Sequence, residues 1–158
     1  MSTFTVFVAD SRHAKVFELS GPEQVLKPIE TVLNEHTEKH NRDLGADAPG
    51  RMLVRIGAPN DGLGARSTAF QPRRSHKQHA TERFARELAA RVSTAARENN
   101  GDGVLLVASP RLLAELHSHL PRETRRRVVG ELARDLVDLP ATELRRRVVD
   151  LLRRRAVD

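Results

Sequence analysis

The chain has 158 residues, a formal net charge of +6 and only 3% aromatic residues, with no cysteine, tryptophan or tyrosine. This composition predicts one domain with an aliphatic core and excludes disulfides and thiolate metal sites, which favours a reducing compartment. The charge is uneven, because residues 1–60 carry 7 basic and 8 acidic side chains whereas residues 61–158 carry 20 and 13. The basic half indicates an anionic partner. The excess of arginine over lysine, 23 to 4, is also what a GC-rich genome would produce.

The first 33 residues predict three strands. Residues 3–10 and 14–19 alternate between apolar and polar types, and the short "DSRH" between them indicates a hairpin. Residues 24–33 predict a third strand, in which Pro28 requires a sheet edge or a bulge because proline has no N–H to donate. We interpret the N-terminus as a strand and not as a signal peptide, because it has no basic region and becomes charged after nine residues. No apolar run is long enough to span a membrane.

Residues 34–75 hold five glycines and three prolines without a sustained period, which predicts a long irregular loop of functional or mobile character. A helix is predicted to begin at Ser75, where Gln78 completes a capping box three residues later. Apolar residues at positions 84, 88, 92, 95 and 96 share one face of this helix. The Asn- and Gly-rich residues 98–103 are expected to end it.

The second half of the chain alternates strands with helices. Residues 104–108, "VLLVA", are apolar at every position, as is typical of a strand in the centre of a sheet. Ser109 is expected to cap a helix with Pro110 in its first turn. Residues 126–139 predict a strand through about residue 136, and Pro140 opens a last helix with apolar residues on one face and arginines on the other. The order predicts a single-domain α/β fold, with a mixed sheet of about five strands flanked by three helices.

Few residues could carry catalytic chemistry. The seven histidines lie in polar surroundings with no HExxH motif and no cysteine to assist them, so we predict no metal site and no cofactor. Ser109 follows an apolar strand, but no G-x-S-x-G motif surrounds it, and helix capping explains it better than nucleophilic catalysis. Asp10 with Asp102 or Asp135 at strand ends is the candidate for a Mg²⁺-dependent nuclease site, which stays open as an alternative.

A basic stretch, "RRSHKQHATERF" (73–84), lies where the long helix is predicted to begin. The free backbone N–H groups and the dipole of a helix N-terminus favour an anion there. Because no aromatic residues are interleaved for base stacking, any nucleic-acid contact is expected to be to phosphates. A solvated loop is the alternative interpretation. The predicted RNA- or anion-binding residues are Arg73, Arg74, His76, Lys77, Gln78, His79 and Arg83.

Five segments, in order along nearly the whole chain, resemble the bacterial proteins named host attachment protein, or required for attachment to host cells. The segments are "VADSRHAKVFEL" (8–19), "DAPGR" (47–51), "HATERFARELA" (79–89), "GVLLVASPRLLAEL" (103–116) and "ARDLVDLPATEL" (133–144). The matching motif residues are Asp10, Asp47, Gly50 and Arg51. That family in turn resembles the central domain of archaeal and eukaryotic peptide-chain release factors and of Pelota. This resemblance implies a mixed sheet of ribonuclease-H-like topology with helices on its faces.

The release factors carry a Gly-Gly-Gln motif in the loop before their long helix. The stretch at 73–84 contains Gln78 without a preceding Gly-Gly, and alignment on Phe84 places His79 at the glutamine position. The resemblance therefore implies a basic loop that reaches ribosomal RNA but does not hydrolyse an ester.

From these features we predict a non-enzymatic, cytoplasmic protein that binds the ribosome or ribosomal RNA and acts in translation stress, rescue or hibernation. One alternative is a host-cell attachment factor that acts at the cell surface, which the family name favours although the sequence offers no export signal or anchor. The other alternative is the metal-dependent nuclease or hydrolase.

Overall fold

A computed structural model describes the backbone of residues 2–35, 62–98 and 101–157, and the side chains of residues 2–35, 77–98 and 101–156. The elements, in chain order, are β1 (Thr3–Ala9), β2 (His13–Ser20), β3 (Val25–Leu33), α1 (Gly62–Glu98), β4 (Gly103–Ala108), α2 (Pro110–His119), α3 (Arg122–Arg127), β5 (Val128–Ala133) and α4 (Ala141–Val157).

The strands form one five-stranded sheet in the order β3-β2-β1-β4-β5. β2 is antiparallel to both β1 and β3, whereas β4 is parallel to both β1 and β5, so the sheet is mixed. Every residue of β4 is buried, and its place beside β1 agrees with the apolar run that predicted a central strand. The predicted single-domain α/β class, with a five-stranded mixed sheet, is confirmed.

β3 is an edge strand, and its pairing with β2 shifts register between Val16 and Phe17, opposite the segment that holds Pro28. Both features that Pro28 predicted, the edge and the bulge, are therefore present. Val25, Ile29 and Leu33 of this strand are more than half exposed.

The long helix differs from its prediction. α1 begins at Gly62, so residues 62–75 are helical and the predicted irregular loop is wrong over that part, while residues 36–61 lie outside the described residues. Ser75 lies inside the helix and cannot cap its start. The glycines and Pro72 in this segment argued against a helix, but intrinsic propensity is a weak guide that the rest of a structure often overrides.

The described part of the chain has four helices and not the three that were predicted, and the additional helix lies in the C-terminal half. The short α3 follows Pro121, which takes the N-cap position, and β5 starts only at Val128 and ends at Ala133, not near residue 136. A hydrogen bond from the Arg134 N–H to the Leu132 carbonyl turns the chain away from the sheet at that point. The predicted cap at the start of α2 is confirmed, because the Ser109 hydroxyl accepts a hydrogen bond from the Leu112 N–H.

One face of the sheet packs against α4. Val6, Val8 and Leu105 of the central strands form a buried cluster with side chains that include Leu144 and Val148 of α4. Gly130 of β5 lets the side chains of Leu105 and Leu151 approach the strand closely, because a Cβ at this position would lie 2.7 Å from Leu105 Cδ2 and 3.3 Å from Leu151 Cδ2. The apolar stripe of the last helix is thus used for packing on the sheet, as the sequence predicted.

By its contacts the chain divides into two compact units, residues 1–33 with 85–158, and residues 34–84. The first contains the sheet, α2, α3, α4 and the C-terminal part of α1. In the second, Asn34 is buried and its amide donates to the Ala80 carbonyl at 3.4 Å. No helix within the described residues is long and apolar enough to cross a membrane.

Candidate functional site

The predicted basic segment lies on α1, where Lys77, Gln78, His79 and Arg83 are all exposed. Ala80 and Phe84, between them in sequence, are buried and mark the inward side of the helix. The side chains of three further predicted residues lie outside the described set, although their backbone is helical. These three are Arg73, Arg74 and His76.

These residues do not lie at a helix N-terminus, and that part of the prediction is wrong. α1 begins at Gly62, about three turns before Arg73. In the interior of a helix the backbone N–H groups bond to carbonyls four residues earlier, and the dipole acts only near the ends. Any affinity of this segment for an anion must therefore come from its side chains, of which His79 lies 3.8 Å from the Glu82 carboxylate. Binding of RNA or another anion by these residues stays a prediction.

Asp10 is held in the turn between β1 and β2. Its Oδ1 accepts hydrogen bonds from the backbone N–H groups of Arg12 at 2.7 Å and His13 at 2.8 Å, and its own N–H donates to the His13 carbonyl at 2.9 Å. The imidazole Nδ1 of His13 is 3.4 Å from the same carboxylate oxygen. These contacts give Asp10 a structural role in the hairpin. The other motif residues, Asp47, Gly50 and Arg51, lie outside the described residues.

The three candidate carboxylates of the nuclease alternative, Asp10, Asp102 and Asp135, do not all lie close together. Asp102 exchanges hydrogen bonds with Thr3 at the start of β1, whereas Asp10 follows its end, which separates the two by about 23 Å of extended strand. Asp135 follows β5, at the same end of the parallel strands as Asp10, and is exposed. Among the described residues, no group of three or more His, Cys, Asp or Glu side chains could hold a metal ion.

A histidine and a carboxylate connect α2 to the edge strand β5. His117 Nε2 lies 2.7 Å from Glu131 Oε1, and both side chains are about one-third exposed. His119, two residues later, has a buried Nε2 that makes no hydrogen bond to a described group. The pair of His117 and Glu131 joins a helix to the sheet.

A recess of about 320 Å³ lies beside the turn between β2 and β3. It is lined by Ser2, Phe4, Leu19, Gly21, Pro22 and Gln24. None of these side chains ionises, so the recess offers the Ser2 hydroxyl and the Gln24 amide as polar side-chain groups but no acid or base.

The most strongly charged described surface is on α4. Its arginines at positions 145, 146, 147, 153, 154 and 155 are exposed, while Leu144 and Val148 on the opposite side are buried. The first of them has a structural role, because the Arg145 guanidinium donates to the carbonyl oxygens of Glu23 and Gln24. The sequence showed that arginines cover this face, but we did not select it as a site. The signal was the pair of arginine triplets, 145–147 and 153–155, eight residues apart.

A second set of exposed arginines lies on α3. Arg122, Arg125, Arg126 and Arg127 are exposed, whereas Thr124 between them is buried and its hydroxyl donates to Ser93 Oγ of α1 at 3.1 Å. This hydrogen bond ties α3 to α1, and the four arginines of α3 are exposed to solvent.

The family model described as "Protein required for attachment to host cells" matches residues 5–148. No curated protein matches the chain. The match corrects our main functional prediction, because the matched family is described by attachment to host cells and nothing found indicates a ribosome, RNA or translation stress. The attachment alternative agrees with the match.

Proposed function

Because the chain belongs to the family of proteins required for attachment to host cells, we propose that it is a host attachment factor that acts at the cell surface. The observation that carries this proposal is the family match, which extends from β1 into α4 and so includes all five strands. The exposed arginines of α4 support a binding role, because the opposite face of that helix is packed on the sheet.

Deletion of the gene tests the proposal directly. We expect the deletion strain to attach to host cells in lower numbers than its parent, and the wild-type gene supplied in trans to restore attachment. Growth rate and motility measured in parallel serve as controls, since a slow or immotile strain also attaches poorly. A deletion strain that attaches as well as its parent would overturn the proposal.

Action at the surface has a separate test. Purified protein added to host cells before the bacteria should occupy the host sites and reduce attachment of the parent strain. The cytoplasmic localisation predicted from the sequence stays a prediction, and it would make the contribution to attachment indirect. Fractionation with a cytosolic enzyme as marker decides between the two, because a protein found only with the marker contradicts action at the surface.

We also propose that the sheet is related in topology to the central domain of the release factors. Support comes from the strand order, with β1 between an antiparallel β2 and a parallel β4. This relation concerns the fold and carries no ribosomal function. An experimental structure superposed on such a domain would test it, and a different strand order would contradict it.

A further inference from the structure

Four arginines form two rows on the outward face of α4, which we call the arginine face. They are Arg146, Arg147, Arg153 and Arg154. Arg146 and Arg153 are seven residues apart, which is two helical turns or about 10.5 Å along the axis, and the other two repeat that spacing one residue further on. The buried Leu144 and Val148 lie on the opposite side of the helix.

No described ion pair or hydrogen bond ties the arginine face to another element, although the partly buried Asp150 lies within it, three or four residues from each of the four arginines. Arg145 donates to two carbonyls, and Arg91 lies 3.1 Å from Glu30, but no ion pair or hydrogen bond joins the four arginines to another described residue. Arg154 in the last turn interacts favourably with the helix dipole. That explanation does not extend to Arg146 and Arg147, which lie in the middle of the helix. Their charges are exposed without a contribution to the packing of the fold.

An extended polyanion matches this arrangement better than a small ion does. A guanidinium presents a planar fork that pairs with both oxygens of a carboxylate, sulfate or phosphate group. Two rows that run for two turns offer such forks repeatedly along one direction, so a linear chain of anionic groups can contact several at once. Each single contact is weak. Once one group of the polymer is bound, however, the next contact forms within the same complex, so the total affinity rises with the number of contacts.

Other described features favour an acidic polysaccharide over a nucleic acid or a membrane. The described phenylalanines, which include Phe7, Phe17 and Phe84, are buried or partly buried, so no aromatic platform stacks with bases. The apolar side of α4 is packed on the sheet and cannot enter a lipid layer. Polysaccharides that carry uronate or sulfate groups present regularly spaced anions and are components of cell surfaces.

From this arrangement, and resting on the proposed attachment function, we propose that the arginine face binds an acidic polysaccharide of the host-cell surface.

The test is a titration of the purified full-length protein with heparin and with polygalacturonate, which carry sulfate and carboxylate groups respectively, and with neutral dextran. The variant replaces all four arginines of the face (R146Q, R147Q, R153Q, R154Q). The control removes the same charge from α3 (R122Q, R125Q, R126Q, R127Q). Circular dichroism establishes that both variants are folded.

We expect wild-type protein to bind both acidic polymers and not dextran, with an affinity that falls as salt rises. Loss of four ion pairs should lower the slope of log affinity against log salt by about 3. The arginine-face variant should therefore bind at least about tenfold more weakly near 100 mM salt, and the α3 control should bind nearly as the wild type does. Equal losses in the two variants would overturn the proposal, since general positive charge would then explain binding. Tighter arginine-dependent binding to single-stranded RNA or to phosphatidylserine vesicles would overturn it as well.

The attachment assay separates this proposal from the proposed function. A strain with the arginine-face variant should attach as poorly as the deletion strain, whereas the α3 control should attach normally. If deletion reduces attachment but the arginine-face variant restores it, the surface assignment is wrong and the attachment function stands. If deletion has no effect while the purified protein still needs the arginine face to bind the polymers, the attachment function is wrong and the binding assignment is supported.

Discussion

Replacement of Gly103 by alanine should destabilise the protein for two separable reasons. Its φ of 150° lies in a region that side chains with a Cβ rarely adopt, and a Cβ there would lie 2.5 Å from Val129 Cγ1 and 2.8 Å from the Arg127 carbonyl oxygen. Backbone strain costs about 1–3 kcal/mol, and overpacking costs about 1–3 kcal/mol. The carbonyl is a backbone group of Arg127, the last residue of α3 before β5, and cannot rotate away as a side-chain end can. We expect a loss of about 3 kcal/mol, in the lower half of the combined range of roughly 2–6 kcal/mol.

Two other glycines separate these causes. Gly21 has a φ of 83°, and a Cβ added there would have no atom within 4 Å, so Gly21→Ala should lose only the strain component. In Gly130→Ala the nearest atom is the end of the Leu105 side chain at 2.7 Å, so that variant reports crowding without a positive φ. Urea unfolding followed by circular dichroism measures all three, because the chain has no tryptophan. A loss of about 3 kcal/mol also lowers Tm by about 6–12 °C. A Gly103→Ala variant no more destabilised than Gly21→Ala would show that crowding against Val129 and Arg127 adds nothing to the backbone strain.

Three further changes test local contacts by the same unfolding measurement. Ser109→Ala removes the cap of α2 and should lower the free energy of unfolding by about 1 kcal/mol. Ser118→Ala, on the exposed side of that helix, should lower it by almost nothing. Equal losses in the two variants would contradict the capping role. Lys15→Met leaves the Val137 carbonyl without its 3.0 Å donor and should cost about 1–3 kcal/mol, with Lys15→Arg retaining most of the stability. Asp10→Ala removes the acceptor of two backbone N–H groups and should cost about 1–3 kcal/mol, and Asp10→Asn should lose less than half of that because an oxygen remains. An Asn variant as unstable as the Ala variant would show that the charge of Asp10 matters more than its turn geometry.

Much of the sheet could be predicted from the sequence, because its strands carry local signals. The alternation in β2 indicates burial mainly on one face, the proline in β3 indicates an edge, and the uninterrupted apolar run of β4 indicates burial on both faces. The alternation in β1 predicted the strand but not its burial on both faces, since residues 5–9 are all buried. The Ser109-Pro110 step likewise marks a helix start through its own hydrogen bonding. Such signals depend on neighbouring residues only, so a single sequence contains them.

The beginning of α1 and the short α3 could not be predicted in this way. Gly62, Gly64 and Pro72 weaken the helical pattern, and the six residues of α3 are too few to show a period. The end of β5 depends on a turn that residues after the strand make. The predicted position of the basic segment at a helix N-terminus was wrong for the same reason, because it assumed that the helix starts at Ser75.

The pairing of β1 with β4 sets the order in which this sheet can be built. Phe4 pairs with Gly103 and Ala9 with Ala108, so each partner lies 99 residues away along the chain. The β1-β2-β3 meander is local and can form within microseconds. During synthesis at about 5–20 residues per second, however, the open side of β1 waits about 5–20 s for β4 to be made. Throughout that interval the backbone N–H and C=O groups on one edge of β1 are unpaired beside the apolar Val6 and Val8, and such an edge is open to pairing with another chain.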